Sequence, residues 1–118
     1  MMRVLPEDVK VYLRVEPTDM RKAIGTLSVL IAEVLEMDPG SGHLFMFRNR
    51  KGDKLKALYY ERNAFTLWYR RLEKGKYLFP KDTEGVIELD DAHLQWLFNS
   101  DKYTYLSTKE KKAYEDFY

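Results

Sequence analysis

Cysteine is absent from this 118-residue chain, which excludes disulfides and thiolate metal centres at once. Histidine is scarce. His43 and His93 stand fifty residues apart with no carboxylate at ligand spacing, so the sequence gives a metal site no foundation. No apolar run approaches the ~20 residues that span a bilayer, and the first ten residues lack the hydrophobic stretch of a signal peptide. A cytoplasmic protein without membrane association is the expectation. The glycine patterns of phosphate-binding loops are missing as well: Gly40-Ser41-Gly42 precedes a strand instead of joining a strand to a helix. Repeats, low-complexity stretches and linkers are also lacking.

Catalytic signatures fare no better. A hydrolytic triad needs a nucleophile, a base and an orienting group, and no G-x-S-x-G turn supports one. A two-metal nuclease would have to draw on Asp19, Asp53, Asp90 or Asp91. Asp19, Asp90 and Asp91 are better read as helix caps or first-turn charges. The sequence therefore predicts no catalytic residue, no metal and no cofactor: a protein that is not an enzyme.

What is present suits one soluble domain, with 45% hydrophobic and 33% charged residues. The net charge of +1 hides an asymmetry. Residues 1–42 carry −2, residues 43–81 carry +8 from eleven Lys/Arg against three Asp/Glu, and residues 82–118 carry −5. A basic block between acidic flanks points to an anionic partner, unless the flanks fold back and neutralise it.

Val9, Val11, Leu13 and Val15 alternate with polar residues and predict a strand that Pro17 ends. Thr18 or Asp19 can cap a helix carrying Met20, Ile24, Leu27, Ile31, Val34 and Leu35 on one face, stopping before Asp38-Pro39-Gly40. Leu44–Phe47 and Leu55–Tyr60 flank Asn49-Arg50-Lys51-Gly52-Asp53 and read as an antiparallel hairpin. A second helix is expected from Asn63, with Phe65, Trp68, Tyr69 and Leu72 on one face and Gly75 as its stop; a strand is the alternative for this aromatic stretch. Tyr77–Phe79 and Val86–Leu89 read as short strands around Pro80. A further helix begins at Asp90 or Asp91 and buries Leu94, Leu97 and Phe98. Ser107 and Glu110 form a possible capping box in the tail. The sum is an α+β fold: a single small domain at residues 1–100, a mostly antiparallel sheet with a hairpin and about three helices packed against it, and a C-terminal extension at 101–118.

The basic block is the distinctive feature. Arg48, Arg50, Lys51, Lys54 and Lys56 lie on and around the hairpin, and Arg70 and Arg71 follow in the next element. Alternation puts Arg48 with Arg50, and Lys54 with Lys56, on common faces, so the ribbon can lay cations along a phosphate backbone. Tyr59, Tyr60 and Trp68 can stack on single-stranded bases, although core packing is the better reading of Tyr59 and Trp68.

The segments Thr18-Asp19-Met20-Arg21-Lys22, Ser41 to Arg50, Asp53-Lys54-Leu55-Lys56, Arg70 to Lys76 and Phe79-Pro80 occur in an order and spacing that resemble the accessory protein of insertion-sequence 66 elements. That protein is often called TnpB or the second open-reading-frame protein, and it is distinct from the RNA-guided nucleases sharing the first name. The likeness spans roughly residues 9–100. It implies a protein encoded beside a transposase, needed for efficient transposition and without assigned catalysis. Phe79 stands where the family often has tryptophan, and the tail beyond about Asp101 extends past its usual end. The resemblance implies the element's transposase as a partner. DNA contact through the basic hairpin rests on the residues, as does the alternative of docking on the transposase without touching DNA.

Overall fold

The computed structural model describes residues 8–79 and 84–98, the last four as backbone only. The elements are β1 (Val11–Arg14), α1 (Ile24–Glu33), β2 (Leu44–Arg48), β3 (Lys54–Glu61), β4 (Ala64–Arg71), β5 (Val86–Leu89) and α2 (Asp91–Phe98). The strands form one sheet in the order β4-β3-β2-β1-β5. The β1–β2 pair is parallel, with α1 as its crossover, and the other three pairs are antiparallel.

Strand alternation sorts the apolar residues into two layers. Tyr12, Phe45, Phe47, Leu58, Phe65 and Leu67 face α1, which buries Leu27, Leu30 and Ile31 against them. Each such burial stabilises the fold by roughly 1.5–3 kcal/mol. Val11, Leu13, Leu44, Met46, Leu55 and Ala57 form the opposite layer, covered by Leu72, Tyr77 and Leu94. Phe45, Met46 and Phe47 are fully buried because β2 lies inside a sheet covered on both sides. The fold class is thus α+β, as the sequence predicts.

Four local expectations are corrected. The segment from Asn63 is a strand, so two helices are present among the described residues where about three were expected. Arg62 and Asn63 both take positive φ (50° and 63°), the geometry of a two-residue hairpin turn. The residues after it alternate, with Phe65 and Leu67 on one face and Thr66 and Trp68 on the other. Neighbouring strand β3 pairs with all eight of them. Aromatic residues at helical spacing satisfied either pattern, and pairing with β3 decided it.

The first helix begins at Ile24, later than a cap at Thr18 or Asp19 implies. Thr18 is buried and its N–H donates to the Arg48 carbonyl at 2.7 Å, while Asp19 closes a turn onto Arg21. Ala23 occupies the N-cap without a side-chain hydrogen bond. Tyr77–Phe79 is not a strand: it crosses the end of the sheet as an irregular strap, with the Tyr77 N–H donating to the Gly52 carbonyl at 2.7 Å. Lastly, Arg50 lies in the hairpin loop and not on β2, so it shares no strand face with Arg48. Asp90 does cap α2, accepting the His93 backbone N–H at 2.9 Å. The side chains of Leu97 and Phe98, and the tail with Ser107 and Glu110, lie outside the described residues.

The C-terminal end of α1 holds a small strain. Glu36 takes φ 55°, a left-handed conformation that costs a non-glycine residue roughly 1 kcal/mol. Glu36→Gly is expected to raise Tm by about 2–4 °C, measured by thermal denaturation. A lowered Tm would show that the Glu36 side chain contributes more than its backbone strain removes.

Candidate nucleic-acid interface

The strand directions determine where the charges gather. β1 and β2 end where β3 and β5 begin and where β4 ends. That common end carries Arg14, Arg48, Lys54, Arg70 and Arg71 from the strands, and Arg50 and Lys51 from the hairpin tip. Arg21 and Lys22 join them from the turn after β1. At the opposite end are Glu33 at the end of α1, Glu36 and Asp38 after it, Glu61, Asp90 and Asp91. Among the described residues the sheet is therefore predominantly basic at one end, where Glu16, Asp19, Asp53, Glu73 and Glu84 are the carboxylates, and predominantly acidic at the other, where Lys10 and Arg62 are the cations. Composition in linear thirds shows a basic block; only the pairing shows that it becomes one end of a sheet.

Within that end, the seven cations singled out from the sequence divide among three surroundings. Arg50 and Lys51 are exposed on the tip. Asn49 fixes this loop: its Oδ1 accepts the N–H groups of Gly52 and Lys54, both at 3.0 Å, and its Nδ2 donates to Asp53 at 2.6 Å. Gly52 takes φ 86°, which disfavours any side chain, and the strap packs beneath it. The Asn49 hydrogen bond holds the Asp53 carboxyl below its usual pKa despite some desolvation. This contribution is fully present above about pH 5 and is lost as pH falls through the lowered value.

Lys54, Lys56 and Arg71 share the α1 face, with Lys54 directly opposite Arg71. Lys56 reaches inward: its Nζ donates to the Lys22 carbonyl at 2.7 Å and sits 5.4 Å from the Tyr69 ring centre. Arg71 pairs with Glu73 at 3.3 Å in solvent. Arg48 and Arg70 lie on the other face. Arg48 Nε donates to the Val15 carbonyl at 2.7 Å, and its guanidinium lies 5.2 Å from the centre of the Phe79 ring. Burial, and then the nearby Arg50 charge, push the Arg48 pKa down. Arg48 and Lys56 are engaged inside the fold, whereas Arg50, Lys51 and Arg71 are open to a ligand. Lys76 was not singled out; it is exposed and its Cβ lies close to Gly52. No local pattern announces it, because only the strap's return to the hairpin brings it there.

The Asp19-Met20-Arg21-Lys22 stretch is a built turn. Asp19 binds the Arg21 guanidinium at 2.6 Å and accepts its backbone N–H at 2.9 Å, so its carboxyl sits well below the ordinary carboxylate range. Met20 packs against the α1 layer, and the Lys22 carbonyl anchors Lys56. Tyr59 and Trp68 pack against the opposite layer, as core packing requires. Tyr60 lies edge-on to Phe65, with ring centres 5.0 Å apart.

An open groove of about 560 Å³ adjoins the tip. Arg48, Arg50 and Lys51 line it together with Glu16, Glu84, Tyr77 and Phe79. His43 is at the far end of the sheet, where its Nδ1 accepts the Lys10 N–H at 3.0 Å. His93 lies beside Asp90, with Nδ1 at 2.7 Å from the carboxylate. The described residues contain no group of three or more His, Asp or Glu able to hold a metal ion, and no helix long and apolar enough to cross a membrane.

Residues 9–107 match the protein family described as IS66 Orf2 like protein. The match runs past residue 100 into the segment read from the sequence as an extension. Two relatives come from Sinorhizobium fredii (strain NBRC 101917 / NGR234). The uncharacterized protein y4hO is 32% identical over 93 residues, covering 79% of this chain and 81% of the relative. The uncharacterized protein y4jC is 26% identical over 104 residues, covering 88% and 89%. No solved structure matches the chain.

Proposed function

The chain belongs to the IS66 Orf2-like family, and from that premise we propose that it is a non-catalytic accessory factor of transposition that holds DNA through the basic end of its sheet. The observation that carries this reading is the gathering of exposed cations (Arg50, Lys51, Arg71 and Lys76) around a hairpin tip whose backbone is fixed by Asn49. Cations on a rigid support neutralise phosphates without the entropic cost of ordering a loop. The contacts are to the sugar-phosphate backbone, so they set position more than sequence preference.

A second reading has its own support. The family implies an element-encoded transposase as partner, and the acidic end of the sheet offers a surface for a basic patch on that protein. The two readings use opposite ends of the molecule, and in the second the protein docks on the transposase without touching DNA.

The test is a titration of labelled duplexes, one bearing an element end and one scrambled, with magnesium present and salt varied. Both should bind at low salt, with log K falling against log salt at a slope of roughly −3 to −4, as expected for about four neutralised phosphates. Both duplexes should remain uncut. Lack of affinity at low salt would leave transposase docking as the function, and cleavage would overturn the non-catalytic assignment.

A further inference from the structure

Strand β4 closes one side of the sheet, and among the described residues no strand pairs with its outer side. Its register with β3 determines which backbone groups look outward. The two-residue turn makes Glu61–Ala64 a hydrogen-bonded pair, and alternation extends this to Tyr59–Thr66, Ala57–Trp68 and Leu55–Arg70. The Leu72 N–H continues the series by donating to Asp53 at 2.8 Å. The residues between, Phe65, Leu67, Tyr69 and Arg71, turn their N–H and C=O groups away from β3. Sheets protect such edges with proline, bulges or charge. This one has none of them from Ala64 to Tyr69, and its pairing with β3 is unbroken.

We propose that β4 pairs with β4 of a second copy of this chain, antiparallel about a two-fold axis through Leu67. An axis normal to the sheet keeps like faces together, so residues of one face must meet residues of the same face. Centring on Leu67 sets Phe65 opposite Tyr69 of the second copy and Leu67 opposite its counterpart. All are outward-turned residues, so each pair can exchange both of its backbone hydrogen bonds. The Tyr69 ring, 50% exposed in the single chain, then lies against Phe65 of the second copy and extends that copy's Tyr60–Phe65 ring pair. The cations Arg70 and Arg71 fall opposite Ala64 and Asn63 of the second copy, at the two ends of the joint and never facing one another. A strand charged at one end only is suited to an antiparallel partner identical to itself.

The absence of cysteine makes the register testable by single substitutions. In this register the two Leu67 Cα atoms stand roughly 5.5 Å apart, a spacing that a disulfide bridges. The parent should sediment as a dimer at micromolar concentration, and Leu67→Cys should cross-link on mild oxidation. Phe65→Cys and Tyr69→Cys should not cross-link alone but should do so when mixed. Val29→Cys, on the exposed side of α1, serves as the random-collision control. Tyr69→Pro removes an outward N–H without breaking a bond to β3 and should sediment as a monomer. A monomeric parent would overturn the proposal, as would a folded Leu67→Cys that cross-links no faster than Val29→Cys. Efficient cross-linking at Trp68→Cys in place of Leu67→Cys would overturn the register.

Discussion

Replacing Arg50 and Lys51 together with alanine is expected to weaken DNA binding roughly 50-fold near 0.1 M salt and to flatten the salt slope by about two units. Each phosphate contact contributes a slope of about −0.9 through released counterions, so two lost contacts account for both numbers. The loss should be the same for element ends and for scrambled duplexes. These two side chains are the right ones to remove because they are exposed on a turn whose conformation depends on Asn49, Gly52 and Asp53 instead. The thermal midpoint of the double variant should therefore match the parent. An unchanged slope in a folded variant would exclude the tip from the interface.

Arg48→Ala should give the opposite signature, a large loss of stability with little change in slope. The Arg48 guanidinium donates to the Val15 carbonyl, part-buried between β1 and β2, and lies against Phe79. A hydrogen bond from a charged donor contributes roughly 1.5–3 kcal/mol and a cation–π contact about 0.5–2 at best. Discounted for partial exposure, their joint loss is about 2 kcal/mol, a fall in Tm of about 8 °C for a domain of this size. Thermal unfolding and the salt titration on one preparation separate the two roles. If Arg48→Ala flattens the slope by a unit and leaves Tm alone, Arg48 is an interface residue after all.

The contrast between Arg48 and Arg50 shows how far sequence carries. Residue type, loop length and the glycine at 52 are local, and they sufficed to place the hairpin. Alternation sufficed for β1, and helical spacing located α1 but not its start, which lies at Ile24. What local pattern could not supply was the partner of each element. Phe65 to Leu72 satisfies a helical face and a strand alternation alike, and only the ladder with β3 selects the strand. Asp19 looked like a helix cap because it stands before an apolar repeat, yet Arg21 takes its carboxylate. The seven cations singled out from Arg48 to Arg71 are visible as a block in the sequence, whereas Arg14, Arg21 and Lys22 join them only through the fold. Which of them are engaged depends on carbonyls far along the chain: Val15 for Arg48, Lys22 for Lys56. Lys76 entered the basic end for the same reason, through a strap that returns to Gly52.

The strand order also bears on how the chain reaches this fold in time. Strands β2, β3 and β4 are consecutive and joined by tight turns, so their pairings close short loops that form within microseconds. Neither neighbour of β1 is local. Its parallel mate β2 lies beyond α1, and its antiparallel mate β5 lies beyond the whole β2–β4 meander. Closing those longer loops reduces chain entropy before any contact compensates. Contact order therefore favours the β2–β4 meander, with Phe45 and Phe47 on one side and Leu44 and Met46 on the other, forming before β1 docks. The step expected to be slow is the arrival of β1, which lies between β2 and β5 in the finished sheet.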